Sequence, residues 1–228
     1  MIFNDIQKKM KARKFILPVI LFINFIIYTI NVKLVDAQAI GPNGSKVGFA
    51  AINGFFAKIF PYNDKFYLLT KLIAVAAFLY IAAFAVLGLV QLIKNKSFAK
   101  VDFAVYGMGL TYVITVFFYI LFEFLIINYR PVLEDGELEA SFPSSHTMLA
   151  VSVFASAIVY AAFRIEKGVL KNILVCISAL LATAMALGRM VSGVHWFTDI
   201  IGGVLLGCAI TSIYLAFIQC VPDNRKNK

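Results

Sequence analysis

The chain has two histidines, and each lies in a polar stretch beside an apolar segment. One of them, His195, belongs to the stretch GRMVSGVHWFTDIIGG at residues 188–203, with Arg189 six residues before it and Asp199 four residues after it. On a helix, a spacing of four places His195 and Asp199 on one face. The carboxylate can then hold one ring nitrogen and make the other more nucleophilic. The spacing therefore predicts an activated histidine.

A second polar stretch, SFPSSHT, contains the other histidine, His146, directly after Ser144 and Ser145. It precedes an apolar run, so its serine hydroxyls and the free N–H groups of a helix start can bind an anion. Arg130 and Arg189 add rigid guanidinium donors that match phosphate oxygens. His146 is a candidate proton donor for a leaving oxygen. Together these groups predict a phosphoryl-transfer site that needs no metal or other cofactor.

The same residues have other interpretations. Two histidines and Asp199 could ligate a metal ion, but this explains the arginines poorly, because cations beside a cation site repel it. Taken singly, Arg130 or Arg189 could be an interfacial side chain reaching toward water, and Ser144 could be only an N-cap. An acidic run is expected to be a solvated loop: Glu134, Asp135, Glu137 and Glu139. The joint occurrence of both polar stretches favours a site.

The elements that must position these residues are apolar. The chain of 228 residues is 61% hydrophobic and 14% charged, whereas a soluble domain has roughly 25% charged residues. Six apolar blocks are long enough to cross a membrane as helices, near residues 15–32, 68–92, 104–127, 147–163, 169–187 and 200–218. We therefore predict an all-α, polytopic membrane protein that forms one domain over residues 1–228. The net charge of +9 comes from residues flanking the blocks, which argues against a nucleic-acid partner.

The lysines and arginines also predict a sidedness. Of the 21, 14 flank one set of block ends and 7 the other, and the richer set is expected to be cytoplasmic. Both termini, including the basic segment 1–14, are then cytoplasmic, and both histidines face the extracytoplasmic side. Residues 33–67 form an outer loop whose apolar part is expected to be an interfacial helix. Ala37-Gln38-Ala39 resembles a signal-peptide cleavage site, but the preceding block is long, which favours an uncleaved first helix.

At this point the motifs resemble those of the type 2 phosphatidic acid phosphatase superfamily, which shares a fold with vanadium haloperoxidases. Its signature is K-x6-R-P, then P-S-G-H, then S-R-x5-H-x3-D. The counterparts here are EFLIINYRP at residues 123–131, PSSH at 143–146 and GRMVSGVHWFTD at 188–199. The second and third motifs are specific and the first is weaker. The resemblance implies a haloperoxidase-like bundle of six transmembrane helices, with catalytic motifs over residues 123–199.

The resemblance also implies roles. His195 would take the phosphoryl group as a phosphohistidine, Asp199 would orient its ring, and His146 would protonate the departing oxygen. The phosphate oxygens would be held by Arg130, Arg189 and Ser144.

Three positions depart from the family pattern. Ser145 replaces a glycine but keeps the backbone N–H and adds a hydroxyl, so we keep it in the phosphate-binding set. Gly188 replaces a serine and removes one potential donor. Glu123 replaces a lysine; because seven residues span nearly two helical turns, we expect its carboxylate on the same face as Arg130, as a residue that tunes the site.

A site at the membrane boundary suits a lipid phosphate whose tail stays in the bilayer. The resemblance implies as candidates undecaprenyl pyrophosphate, which leads, phosphatidylglycerol phosphate, phosphatidic acid and lipid A phosphates. A lipid phosphotransferase with a hydroxyl acceptor is one alternative, and a catalytically silent lipid-binding or transport protein is another. A haloperoxidase is least favoured, because those relatives are mainly soluble. The sequence leaves the lipid and the oligomeric state open.

Overall fold

The computed structural model describes residues 12–134 and 136–221, and helices make up most of it. They are α1 (Ile16–Leu34), α2 (Ala50–Ile59), α3 (Asp64–Asn95), α4 (Phe103–Phe124), α5 (Ser145–Arg164), α6 (Val169–Val191) and α7 (Phe197–Ile218). Within these ranges the only β-pairing is in isolated bridges. The prediction of an all-α protein is confirmed. Residues 1–11 and 222–228 lie outside the described residues. They carry some of the lysines and arginines from which we predicted cytoplasmic termini.

Six of these helices are long and apolar enough to cross a membrane, and the exception is the 10-residue α2. The predicted six spans are therefore confirmed, with two shifted boundaries. The second span begins earlier than predicted, at Asp64, because the side chain of Asn63 caps it by accepting from the N–H groups of Lys65 and Phe66. The third ends at Phe124 rather than near residue 127, which matters for the site.

The core of the bundle lies between α5 and α7. In each of these two helices 61% of the apolar window is buried, against 17% in α1 and α3. Glycines on α7 allow the close approach: a Cβ at Gly203 would lie 2.7 Å from the carbonyl oxygen of Ser144, and one at Gly207 would lie 2.7 Å from Cβ of Val151. The N-terminal ends of α5 and α7 are consequently held side by side.

The first and last spanning helices also pack together. The hydroxyl of Tyr28 on α1 donates to the carbonyl of Thr198 on α7, over 3.2 Å. The ring of Phe25 stacks on that of Phe142, in the segment that leads into α5, with centroids 6.2 Å apart. Helix α1 thus contacts both the segment that leads into α5 and the start of α7.

The short helix α2 is anchored by a buried asparagine. Asn53 accepts from the N–H of Thr198 over 3.1 Å and donates to its hydroxyl over 2.9 Å. The opposite face is apolar and exposed, with Ile52, Phe55 and Ile59. Such a face suits the interfacial helix predicted in this loop, and the depth of α2 in a membrane stays a prediction.

One ion pair is buried at the other end of the bundle, where α4 begins and α5 ends. Nε of Arg164 lies 3.2 and 3.0 Å from the two carboxylate oxygens of Asp102. Both side chains are less than 5% exposed. Asp102 also caps α4 by accepting from the N–H of Ala104, so this pair ties two spans together.

Candidate active site

The structure brings the three polar segments together at one end of the bundle. The segment after α4 carries Arg130, the start of α5 carries His146, and α6 with the turn behind it carries Arg189 and His195. Direct contacts join all three. The indole N–H of Trp196, next to His195, donates to the carbonyl of Tyr129, next to Arg130, over 2.7 Å. The N–H of Ser144 donates to the carbonyl of Asp199 over 2.9 Å, and Nη2 of Arg189 lies 2.5 Å from Nδ1 of His146. Residues far apart in sequence thus form one cluster.

His195 lies in the turn before α7 rather than on a helix. Nδ1 of His195 is 3.7 Å from Oδ2 of Asp199, which is close for charges but too long for a hydrogen bond. The prediction that His195 and Asp199 share one face of a helix is therefore wrong, although the two side chains do lie close together. Asp199 is instead the third residue of α7, where it accepts from the N–H of Trp196 over 2.9 Å. Its other oxygen lies 3.4 Å from Nδ2 of Asn128.

The turn that presents His195 depends on a glycine. Gly193 has a φ of +67°, and a Cβ there would lie 2.7 Å from backbone atoms of Pro61 and Tyr62. Only glycine accepts both the conformation and the contact. The N–H of Asn63 donates to the carbonyl of Ser192 over 3.0 Å. The start of α3 therefore fixes the position of the turn.

Arg189 is completely buried and lies in the last turn of α6. Its Nη1 lies 3.4 Å from the hydroxyl oxygen of Thr70 on α3, and Nη2 contacts Nδ1 of His146. Arginine can only donate, so Nδ1 of His146 accepts and the ring proton lies on Nε2. A Cβ at Gly188 would lie 2.7 Å from Cγ2 of Thr70, which gives a steric reason for the glycine that replaces the family's serine.

Arg130 does not share a helical face with Glu123. Helix α4 ends at Phe124, and Arg130 follows in an extended segment, next to an antiparallel bridge between Tyr129 and Ala140. The prediction of one shared face assumed that the helix continued to Arg130, and it is wrong. Glu123 instead lines a small cavity that also reaches Ser145 and His195.

Two glutamates of the acidic run pair with Arg130. Nη1 of Arg130 is 2.7 Å from Oε2 of Glu134, and Nη2 is 3.3 Å from Oε2 of Glu139. The prediction of a purely solvated loop is therefore wrong for these two residues. It fits Glu137, which is exposed, and Asp135 lies outside the described residues.

The two serines at the start of α5 occupy different environments. Ser144 is fully buried, and its hydroxyl oxygen lies 3.0 Å from that of Thr147. Ser145 is partly exposed and lines the cavity beside His195. The hydroxyl of Ser145 is therefore the one that faces this cavity.

Several buried nitrogens of the cluster have no hydrogen-bond partner among the described residues. They are Nε and Nη1 of Arg130, Nε of Arg189, and both ring nitrogens of His195. Nη1 of Arg130 is near Glu134 but is not aligned for a hydrogen bond. Buried donors without partners are costly and rare in folded proteins. A ligand with several acceptor oxygens, such as phosphate, would satisfy the guanidinium donors.

The electrostatics of the site favour a neutral His195. Its burial, followed by the positive charges of Arg189 and Arg130, lowers the pKa of His195 well below the ordinary value. At neutral pH the ring therefore keeps a lone pair for attack, as a nucleophile requires.

Helix α3 adds residues that the motifs do not contain. Two cations lie over the ring of Tyr67, with Nζ of Lys71 at 4.1 Å and Cζ of Arg189 at 5.1 Å from its centroid. Its hydroxyl donates to Glu134, and Thr70 contacts Arg189. The one sequence signal was Lys71, a charge inside an apolar run, which marks a candidate functional position in a membrane protein.

An apolar groove leads away from the cluster between α3, α4 and α5. Its sides include Ala74, Phe78, Val116 and Leu149, and its polar end is formed by Ser145 and His146. The parts of the chain that the structure describes contain no group of three or more His, Cys, Asp or Glu residues that could hold a metal ion.

Comparisons with known proteins found one family and one similar fold. The family model of the PAP2 superfamily matches residues 104–223. The fold is similar to a crystal structure of a transmembrane PAP2 type phosphatidylglycerolphosphate phosphatase from Bacillus subtilis, with a TM-score of 0.59 and 20% identity over 90% of this chain and 97% of that one. No curated protein matches the sequence.

Proposed function

Because the chain belongs to the PAP2 superfamily, we propose that it dephosphorylates a membrane lipid through a phosphohistidine formed at His195. Family membership and the membrane-embedded fold support lipid phosphate hydrolysis. The intermediate, the residue roles and the identity of the lipid belong to the proposal.

The carrying observation is the group of unpartnered nitrogens around His195. Nε of Arg130 and Nε of Arg189 are buried guanidinium atoms with no hydrogen-bond partner among the described residues, and Nη1 of Arg130 has only its poorly aligned ion pair with Glu134. Guanidinium groups match phosphate oxygens, and preorganised donors stabilise the charge of the transferring group. The N–H groups at the start of α5 and the hydroxyl of Ser145 add donors on a third side. This arrangement supports a phosphate between the arginines and His195.

The reaction would proceed in two steps. Nε2 of His195, the ring nitrogen away from Asp199, attacks phosphorus, and the bond from phosphorus to the lipid oxygen breaks. When the phosphate draws the guanidinium of Arg189 away from Nδ1, His146 takes up a second proton. This imidazolium gives its Nε2 proton to that oxygen and becomes neutral, so the lipid alcohol or lipid monophosphate leaves. Water then attacks the phosphohistidine and gives a proton to His146, which releases orthophosphate and restores both histidines. Asp199 stabilises the positive charge that forms on the ring of His195 during the first step.

The groove beside His146 supports a lipid substrate. It joins the cluster at its polar end and is apolar along its sides, so a lipid tail could lie there while its phosphate reaches the arginines. We retain undecaprenyl pyrophosphate as the leading substrate and place phosphatidylglycerol phosphate second, because the structural relative is described as a phosphatase of that lipid. The lysine and arginine distribution supports an extracytoplasmic site.

The test measures orthophosphate release from undecaprenyl pyrophosphate, phosphatidylglycerol phosphate and phosphatidic acid by purified protein in detergent. We expect release by the wild type and none above background by His195→Ala, because the attacking nitrogen is lost. His195→Ala must elute as the wild type does in size-exclusion chromatography. Equal release by both proteins would rule out His195 as nucleophile, and phosphorylated acceptor lipid without orthophosphate would indicate a transferase.

A further inference from the structure

Two carboxylates lie against the outer nitrogens of Arg130, which the proposed phosphate would also bind. Oε2 of Glu134 lies 2.7 Å from Nη1, and Oε2 of Glu139 lies 3.3 Å from Nη2. The guanidinium of Arg130 is buried, with a side-chain exposure of 11%. A phosphate that binds both outer nitrogens of Arg130 therefore competes with these carboxylates for the guanidinium.

The backbone of the loop holds both glutamates beside Arg130. Glu134 and Glu137 exchange two backbone hydrogen bonds, at 3.2 and 2.9 Å, which closes the tip of the loop. The N–H of Arg130 donates to the carbonyl of Glu139 over 3.0 Å. The backbone of the loop thus holds Glu139 next to Arg130. Because both carboxylates are tethered there, they compete for Arg130 at a high effective concentration.

Tyr67 fixes Glu134 from the other side. Its hydroxyl donates to Oε1 of Glu134, while Oε2 of the same carboxylate faces Arg130. The side chain of Glu134 is 23% exposed, against 47% for Glu139. Glu134 is therefore the more restrained of the two competitors. The contact with Arg130 is nevertheless incomplete, because Nη1 and Nε have no aligned acceptor among the described residues.

A tethered carboxylate competes unequally with different phosphates. A terminal phosphate carries close to two negative charges at neutral pH, whereas a phosphodiester carries one, so the attraction to the two arginines is about twice as large for the terminal group. A membrane presents phosphodiester head groups in large excess over any lipid with a terminal phosphate. A site that must exchange a carboxylate for its ligand is selective against the weaker competitor.

We propose that Glu134, supported by Glu139 and Tyr67, determines specificity by occupying Arg130 until a phosphate with a terminal dianionic group displaces it. Phosphodiester lipids, each a monoanion, are thereby kept out of the site. This inference rests on the proposed phosphate site at Arg130, and it concerns affinity rather than the chemical step.

The first experiment measures binding without turnover. Orthophosphate and dimethyl phosphate, a soluble phosphodiester, are titrated into detergent-solubilised wild type, Glu134→Gln and Glu137→Gln by calorimetry. Glu137 lies in the same loop, is exposed, and forms no ion pair with Arg130, so its variant controls for the loss of one charge. We expect Glu134→Gln to bind orthophosphate several-fold more tightly and dimethyl phosphate more tightly by a larger factor. Glu137→Gln should resemble the wild type.

Two results would overturn the proposal. One is weaker orthophosphate binding by Glu134→Gln, which would mean that Glu134 only positions Arg130. The other is an unchanged preference between the two ligands, or an equal change in Glu137→Gln. Should Glu134→Gln not fold, Tyr67→Phe removes the hydroxyl that holds Glu134 and must shift both affinities in the same direction by a smaller factor, or the idea fails.

The second experiment separates this inference from the proposed function. Hydrolysis of the preferred lipid phosphate is measured in mixed micelles with increasing phosphatidylglycerol, a phosphodiester lipid. We expect Glu134→Gln to be inhibited at several-fold lower phosphatidylglycerol than the wild type or Glu137→Gln. Absence of turnover in every protein would contradict the proposed function alone, because the binding titrations still decide the role of Glu134. Turnover with equal inhibition of all three would contradict the specificity role alone.

Discussion

The two ends of the bundle each contain a buried arginine paired with a carboxylate, and the two pairs differ in completeness. Nε of Arg164 contacts both oxygens of Asp102 within 3.2 Å, and both side chains are less than 5% exposed. Arg130 contacts Glu134 and Glu139 through single oxygens, and two of its nitrogens remain without an aligned acceptor among the described residues. A pair with mutual contacts belongs to the scaffold. A pair that leaves donors unsatisfied can exchange its partner for a ligand.

The largest expected effect on stability is at the scaffold pair. Asp102→Ala leaves Arg164 buried without its carboxylate, and breaking a buried pair in this way costs about 3–5 kcal/mol. We therefore expect a large drop in the unfolding midpoint of the purified protein, measured by thermal unfolding in detergent. The control is Glu166→Ala, an exposed carboxylate close to Arg164 in sequence, which should leave the midpoint nearly unchanged. A wild-type midpoint for Asp102→Ala would contradict the scaffold role.

The site pair should respond in the opposite way. Arg130→Ala removes donors to the phosphate, and the loss of one such donor typically lowers catalysis by about 10²–10³-fold. We expect a fall of that size in kcat/KM for the lipid phosphate, with a small change in the unfolding midpoint because Glu134 keeps its bond to Tyr67. A stability loss as large as that of Asp102→Ala, with kcat/KM retained in the folded fraction, would remove the distinction between the two ends.

The smallest effect concerns Thr70 and decides whether α3 belongs to the site. Thr70→Val keeps the methyl group against Gly188 but removes the hydroxyl oxygen that lies 3.4 Å from Nη1 of Arg189. One hydrogen bond is worth about 0.5–1.5 kcal/mol, so we expect kcat/KM to fall between twofold and tenfold. Steady-state kinetics with the preferred lipid measure it. Unaltered kinetics would assign Thr70 to packing alone.

Much of the fold could be predicted because a helix that crosses a membrane needs a long run of apolar residues, which is easy to find in a sequence. Six apolar blocks of sufficient length gave six spanning helices. The error after Phe124 shows the limit of that signal. Ile126 and Ile127 are as apolar as the helix before them, but they lie beyond its end, and hydropathy alone does not separate an apolar helix from an apolar extended segment.

The candidate site was predictable where its residues form short motifs. Arg189, His195 and Asp199 lie in one short motif, and Arg130 and His146 lie in two others. The structure brings Arg189 against His146 and His195 beside Asp199. Tyr67 and Thr70 lie in α3, far from any motif, and only the tertiary packing of α3 on α6 places them against Arg189. The prediction for Glu134 was wrong because a charged residue in a loop is usually solvated. The ion pair with Arg130 depends on the folded shape of this loop, which the sequence pattern does not reveal.

The packing of α1 on α7 has a consequence for biosynthesis. Helix α1 is translated first and α7 last, yet Tyr28 bonds to Thr198 and the carbonyl of Asp199 receives the N–H of Ser144. These contacts join residues up to 170 positions apart, and such contacts form late because the intervening chain must be present. A nascent chain that ends before α7 contains both histidines and both arginines but lacks Asp199. We therefore expect activity only after α7 has been made and has packed against α1 and α5.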